Sequence, residues 1–456
     1  MTSPPQPSAS SYGNLKRNIT FPQALGVSFH QIVGGGVVAL TGTAIALTGG
    51  GAPLAFAIAA LAVIVYSLPV ATLGSAMPVV GSRYTYAARL LSPSLGFATM
   101  WLSVIVTVQL SLMALTAAEY VHALFPEVPE RPFALAVVTV FFLANLLGGV
   151  FSNRLGILLA FVMIAAFLMY SASGVPQVHW EVLGDIAPNG ADDLIAAAAI
   201  LTFATTGGTV VAELGGEMKR PGRDIPLSII GGTVIAGLLY VCMAIPSVGV
   251  LPVSEVAGRP MSVVAQHLLS PGGFAFFIIG GAVVSVVGHI NAQLLASTKP
   301  VLAAIGDGWF PRRLGTVNKR FGTPHWLLVV MYGIGVVPIL AGFSVATIAK
   351  AASIAVSPML AIMLVASWRL RTRRPDLHAA APFKLGPALH LSSIVLGIAV
   401  LAVQTYFLII KLTLGSAIAL AGWMAVGVVW WMLRRRHVAT VLASRDERGA
   451  VPVQSH

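Results

Sequence analysis

Apolar runs recur along the chain, separated by short polar or Pro/Gly-rich joints, and each is close to the roughly 20 residues that a bilayer-crossing helix needs. The pattern predicts twelve spans, at about 23–48, 53–77, 97–123, 132–151, 155–176, 193–214, 227–250, 273–298, 326–342, 345–368, 389–411 and 414–433. Runs such as ALAVVTVFFLANLLGGV, residues 134–150, are continuous rather than alternating. That excludes an outer-membrane barrel, whose strands read as segments of about ten residues with alternating hydropathy. The expected fold class is an all-α polytopic membrane protein. Residues 1–22 are polar and proline-rich, with no apolar stretch before Lys16 and Arg17. They read as a disordered cytoplasmic tail rather than a signal peptide.

Composition sharpens this picture. Hydrophobic residues make up 57% of the chain and charged residues 9%, and mean hydropathy is +0.88. Soluble proteins carry about 25% charged residues, so a soluble enzyme is excluded. The single Cys242 lies inside an apolar run and allows no disulfide within the chain. Twelve spans put both termini on one side, and 23 of the 27 Lys and Arg residues fall there. By the positive-inside rule that side is cytoplasmic. The expectation is a multi-pass protein of the cell membrane with both termini inside. The net charge of +12 then needs no nucleic-acid partner, and Arg434, Arg435 and Arg436 read as a topology anchor.

Two spans are interrupted. Span 1 contains Gly34, Gly35 and Gly36 in VGGGVVALTG, and span 6 contains Thr205, Thr206, Gly207 and Gly208 in LTFATTGGTVV. Each glycine weakens a helix interior by roughly 1 kcal/mol relative to alanine, so both stretches favour local unwinding. Unwound backbone is tolerated at membrane depth only where protein or a water-filled cavity satisfies it. Each interruption opens a set of five spans, 1 to 5 and 6 to 10, and the two sets have opposite topology. Paired interruptions in inverted halves point to the midplane site of a secondary transporter. Exposed N–H groups at a break attract an anion, and freed carbonyls attract a cation.

From about residue 20 to 435 the chain resembles the amino acid-polyamine-organocation (APC) superfamily of permeases. VGGGVVALTG looks like that family's GSG-containing first helix, GSRYTYAARLLSPSLGF (81–97) like its loop after span 2, and GGEMKRPGRDIPLSI (215–229) like its loop after span 6. HINAQLLASTKPVLAAIGDGWFPRRLGTVNKRFGTPHW (289–326) is similar to the family's loop after span 8. The resemblance implies a LeuT-type repeat of five plus five helices. The first five would occupy 23–176 and the inverted five 193–370, with peripheral helices 11 and 12 in 371–433 and a basic cytoplasmic tail over 434–456. It also implies uptake or exchange of amino acids or related amines by alternating access, with a small-molecule substrate, the lipid bilayer as surroundings and no catalytic residues. Carried over residue by residue, Gly34, Gly35 and Gly36 would hold a substrate carboxylate. Thr205, Thr206 and Gly207 would hold its ammonium, and Phe203 would gate the site. The chain departs from the family where Thr205, Thr206, Gly207 and Gly208 replace an aromatic-x-Gly-aromatic pattern, which predicts a smaller and more polar wall.

Ionisable groups inside spans are costly and therefore functional candidates. His30 lies about one turn before the first break, and His289 shares a polar stripe with Asn291 and Gln293. Both imidazoles suit reversible protonation and are the coupling candidates; each reads also as a neutral histidine hydrogen-bonded within the bundle or placed near an interface. A sodium site would use oxygens instead, for which span 8 offers Ser285, Ser297 and Thr298. Proton coupling, sodium coupling and uncoupled exchange all stay open, with the imidazoles favouring the proton or exchange. No cofactor or bound metal is expected. Glu119 and Lys350, near the outer ends of spans 3 and 10, are candidates for an outer gate and are equally placed to snorkel. Glu213 and Glu217 are candidates for an inner gate with Arg83 and Arg154 as partners, and read equally as part of a solvated charge run with Lys219, Arg220, Arg223 and Asp224. Gln109 and Tyr240 read as packing groups with satisfied hydrogen bonds. The competing classes are a channel, a non-transporting sensor or scaffold of the same fold, and a transporter of another amine such as a polyamine. No HExxH or GxSxG pattern appears for an enzyme, and a channel would favour symmetric filters or charged rings.

Overall fold

The computed structural model describes residues 17–34, 36–318, 320–343, 345–410 and 414–449. Among these the chain forms helices and two isolated backbone bridges, with no strand. In order the helices are α1 Phe21–Ile32, α2 Gly36–Thr48, α3 Ala52–Ala76, α4 Ser82–Leu90, α5 Pro93–Val106, α6 Gln109–Leu124 and α7 Glu130–Leu146. They continue with α8 Gly149–Gly174, α9 Ala191–Thr205, α10 Pro221–Gly249, α11 Val253–Val256, α12 Ser262–Leu268 and α13 Pro271–Phe276. The last are α14 Val284–Gly306, α15 His325–Leu340, α16 Val345–Arg373, α17 Pro375–Ala380, α18 Pro387–Ile410 and α19 Leu414–Gly449.

Nine helical stretches among the described residues are long and apolar enough to cross a membrane. Large apolar side chains also face outward: Leu61, Phe161, Ile195 and Leu238 are each more than 60% exposed. Water would not tolerate such a surface in bulk, but lipid does, and the protein is a multi-pass membrane protein. The count of nine is smaller than the twelve expected because α7 and α15, of 17 and 16 residues, fall below the roughly 20 of a full span. The first span is also divided between α1 and α2.

Helix α3 lies along α10, α1 packs on α8, α10 and α14, and α16 packs on α3, α5, α6 and α18. The largest buried cluster joins α1, α3, α8 and α10 through Phe29, Phe56, Phe167 and Tyr240. The broken helices α1 and α9 are therefore wrapped by continuous ones, which supplies the protein contacts that unwound backbone requires.

Several elements differ from the expectation. The tail is not disordered from Arg17 onward: Ile19 is buried, its N–H donates to the Glu217 carbonyl at 3.0 Å, and its own carbonyl accepts from Lys219 N at 3.0 Å. Span 3 is split at Thr107 and Val108, where N–H groups bond three residues back, to Val104 and Ile105. That tightened turn follows a run of β-branched residues, Val104 to Val108, which crowd a helix. The first half of span 8 contains a π-helix over Phe277–Val283. The basic segment after residue 433 is helical to Gly449. It continues α19 and packs on the bundle, with Val438 2% exposed and Arg434 donating to the Gly308 carbonyl at 2.7 Å.

Helix α19 is stapled by tryptophans. Trp101 and Trp423 stack at 4.6 Å and exchange indole-to-carbonyl bonds of 3.0 and 3.3 Å. Trp430 donates to the Trp309 carbonyl at 3.1 Å. Helix α18, also expected to be peripheral, reaches the broken helix α9 through a Gln404 to Thr202 hydrogen bond.

Candidate functional site

Helix α1 ends at Ile32, where Val33 turns to φ −83°, ψ 93°, and α2 resumes at Gly36. Helix α9 ends at Thr205. Thr206 is extended (φ −78°, ψ 159°) and Gly207 takes φ +134° before a 3₁₀ segment over Gly208–Glu213. Only glycine adopts that φ without strain. The breaks touch each other, since a Cβ built on Gly207 would overlap the Gln31 carbonyl. Tyr240 of α10 bridges them, its hydroxyl 3.2 Å from the Ile32 carbonyl oxygen and 3.4 Å from that of Ala204. From α3, the Tyr66 hydroxyl donates to Thr206 Oγ1 at 2.6 Å.

Beside the breaks lies a cavity of about 90 Å³, small against the roughly 300–1,000 Å³ of sites for drug-sized ligands. Gly34, Gly36, Phe203, Thr206, Gly207 and His289 line it, Phe203 being 38% exposed. Gln31, Gln109, Gln293 and Thr209 add polar groups, while Val106, Met113, Val356, Met359 and Leu360 form an apolar wall. No carboxylate is among the described lining residues, and Arg83 contributes a positive charge. Helix α2 begins here with N–H groups that have no intrahelical acceptor, and α9 ends here with carbonyls that have no intrahelical donor. Donors on one side and acceptors on the other suit a small zwitterion.

The expected site residues thus converge, with exceptions. Gly35 lies outside the described residues. Thr205 does not line the cavity; its side chain is fully buried and donates to the Leu201 carbonyl at 2.8 Å within α9. Glu119 is exposed on α6, which packs against α16, the helix carrying Lys350. The Lys350 and Arg154 side chains lie outside the described residues. Gln109 faces the cavity rather than packing alone.

The two histidines part company. Nε2 of His289 is 3.4 Å from Nε2 of Gln31, which donates to Gln293 Oε1 at 2.8 Å. Residues 289 and 293 are one helical turn apart, so they share a face. Sequence reasoning missed Gln31, although it neighbours His30 on a helix too apolar to carry idle polar groups. His30 points elsewhere: its Nε2 donates to the Gly156 carbonyl at 2.7 Å, and a Cβ built on Gly288 would overlap its ring. Asn291 accepts from Asn145 Nδ2 of α7 at 3.0 Å. The Ser285 and Ser297 hydroxyls donate within the span 8 helix, to Ala282 at 2.8 Å and Leu294 at 3.3 Å.

Two buried ion pairs close the bundle at the end that carries Ile19. Glu213, fully buried, accepts on Oε1 from Ser82 Oγ at 2.8 Å and Arg83 N at 3.0 Å, with Arg83 Nε at 3.4 Å. Glu217 meets Lys299 Nζ at 2.5 Å. Arg83 is the partner expected for this region; Lys299 is an addition. A third carboxylate, Asp307, takes Arg89 Nη2 and the Tyr84 hydroxyl, both at 2.7 Å. Burial and the Asp307 charge push the Tyr84 hydroxyl far above its ordinary range, so it remains a donor.

Residues 19–433 match the profile of the family described as "Amino acid permease". The chain is 27% identical to the branched-chain amino acid permease BcaP of Bacillus subtilis (strain 168), across 93% of this chain and 94% of that protein. It is 25% identical to the methylthioribose transporter of the same organism, across 80% and 82%. To that organism's serine/threonine exchanger SteT it is 25% identical, across 57% and 61%.

Proposed function

The chain belongs to the amino acid permease family, and from that premise we propose that it moves neutral amino acids with aliphatic side chains by alternating access around the cavity at the two breaks. The observation that carries this reading is the meeting of both broken helices at one cavity, with the start of α2 and the end of α9 on its wall. Gly34, Gly35 and Gly36 hold the carboxylate in this scheme, and the α9 carbonyls with Thr206 and Gly207 hold the ammonium. Phe203 covers the bound molecule. Val106, Val356, Met359 and Leu360 support an apolar substrate side chain. Arg83 is already paired with Glu213 and no carboxylate is among the described lining residues, so a cationic side chain finds no counter-charge there, which argues against lysine, arginine or a polyamine. The name of the relative BcaP, a branched-chain amino acid permease, agrees with this choice.

The same reading takes the chain as twelve spans, with inverted repeats at 23–176 and 193–370 and peripheral helices in 371–433. The basic end faces the cytoplasm. The Glu213–Arg83 and Glu217–Lys299 pairs then form the inner gate, and Glu119 with Lys350 an outer one. Proton coupling is assigned to His289, which lines the cavity, while His30 holds α1 against α8.

Proteoliposomes preloaded with unlabelled leucine are expected to accumulate labelled leucine saturably, and preloading with lysine or spermidine to give none. Counterflow driven by lysine overturns the substrate class, and non-saturable flux overturns the transporter. His289→Gln, similar in reach but not protonated, is expected to flatten the pH dependence of uptake between about pH 5 and 8, whereas His30→Gln leaves its shape intact. An unaltered profile in His289→Gln removes the coupling role.

A further inference from the structure

At the same basic end, the chain leaves α16, passes through α17 and returns into α18. This corner is anchored: Ser75 Oγ of α3 donates to the Gly222 carbonyl at 2.7 Å and accepts from Phe383 N at 3.0 Å. Four nitrogen-bearing side chains gather there, Arg371, His378, Lys384 and His390. Trp368 holds two of them, with the Arg371 guanidinium carbon 5.7 Å from its ring centre and the His390 ring edge-on at 5.8 Å. His378 lies within electrostatic reach of Arg371, Lys384 and His390.

Their hydrogen bonding is incomplete. Arg371 Nη1, His378 Nδ1 and His390 Nδ1 are shielded from solvent and have no partner among the described residues. A buried polar atom left without a hydrogen bond is destabilising, and here three fall in one corner. The adjacent carboxylate, Asp376, is exposed and held by Arg374 through bonds of 3.0 and 2.7 Å. Lys384 Nζ donates to the Ala379 carbonyl at 2.7 Å. Helix α3, which packs on α17 and α18, has no charged residue. The corner therefore presents excess positive charge with unpartnered nitrogens, one of them a guanidinium donor.

The tautomer of His390 sharpens the chemistry. The Ser367 hydroxyl donates to the Leu364 carbonyl at 2.9 Å, so its oxygen accepts from His390 Nε2 at 2.8 Å. The neutral ring thus leaves a lone pair on Nδ1, and protonation turns that atom into a donor. We propose that this corner binds a phosphate-bearing anion, with Arg371, His378 and His390 as its donors and Trp368 as its flank. A guanidinium beside imidazoles matches several oxygens of one phosphate. The source is the lipid headgroup: Trp368 is 38% exposed and Leu389 and Leu391 of α18 are each 49% exposed, which opens the corner towards the bilayer. Basic pockets between helices on this side of a membrane suit anionic headgroups.

Burial and the charges of Arg371 and Lys384 hold His378 below its ordinary value. A bound anion opposes both charges and favours the imidazolium, so binding takes up protons and tightens as pH falls. The test uses the full-length protein in phosphatidylcholine nanodiscs. Added phosphatidylglycerol is expected to raise the melting temperature by about 3 °C, more at pH 6 than at pH 8. Arg371→Gln with His378→Gln is expected to lose that rise while melting in phosphatidylcholine alone stays unchanged. His378→Gln by itself, on a partly exposed helix, gives the same reading with a smaller loss and covers the case in which the double variant folds poorly. Inorganic phosphate added to phosphatidylcholine discs separates the sources. No rise with it supports the lipid, and an equal rise keeps the site but overturns the lipid as its occupant. No rise with either, or a full rise in both variants, overturns the site.

Discussion

Gly207→Ala is expected to lower uptake by at least about 100-fold, the equivalent of roughly 2.7 kcal/mol, while the protein still inserts. Two independent effects meet at this residue. Its φ of +134° costs a non-glycine residue about 1–3 kcal/mol. The added methyl would also overlap the Gln31 carbonyl at the end of α1. Relief requires the two broken helices to separate, which pulls Thr206 from Tyr66 and opens the cavity wall. Gly190 is the control: its φ is +106°, yet a Cβ there meets nothing within 4 Å. Gly190→Ala therefore reports the backbone cost alone and is expected to retain uptake within about threefold, or 0.65 kcal/mol. Equal behaviour of the two variants in a labelled-substrate assay would mean that the contact between the breaks does not matter.

The second large effect is expected from Arg83→Ala. Glu213 is fully buried, and Arg83 supplies both the charge and one backbone donor that it faces. Removing one partner of a buried pair leaves an uncompensated charge, a loss of about 3–5 kcal/mol. Replacing both, as Arg83→Met with Glu213→Leu, removes the desolvation problem and is expected to recover most of the melting temperature. Uptake should not recover with it, because a gate needs a closed state that is held and then released. Recovery of both stability and transport in the double variant would make the pair a structural fixture. The Glu217–Lys299 pair is the internal comparison, since each of its members is also largely buried.

What the sequence disclosed followed from composition and local backbone chemistry. Both breaks were legible because consecutive glycines disrupt any helix, and His289 with Gln293 because one turn separates them. The partner of Glu213 was legible as a basic residue in the loop after span 2. Other parts left little local trace. Ile19 is held through its backbone, which any side chain permits. Lys299 was counted only for its side of the membrane, although it is the one Lys, Arg, Asp or Glu of α14, where an unpaired buried ammonium would be costly. The split at Thr107 has only the β-branched run Val104 to Val108 as its local mark, a kind of run that apolar spans carry commonly, and the π-helix at Phe277–Val283 has a Gly pair and no other. The extension of α19 was hidden because its basic residues look like a solvated tail. Val438 and the tryptophans that fasten it find their partners more than a hundred positions away.

Tyr240 carries a consequence for how the two breaks communicate. Its hydroxyl has one proton and two carbonyl oxygens in range, Ile32 at 3.2 Å and Ala204 at 3.4 Å. One proton cannot fully serve both acceptors, so their claims on it compete. On the function proposed above, a cation held at the Ala204 carbonyl would leave the proton to Ile32, and strain drawing Ile32 away would return it to Ala204. Occupancy at one broken helix would then be felt at the other through a single shared hydrogen, without either backbone having to move first.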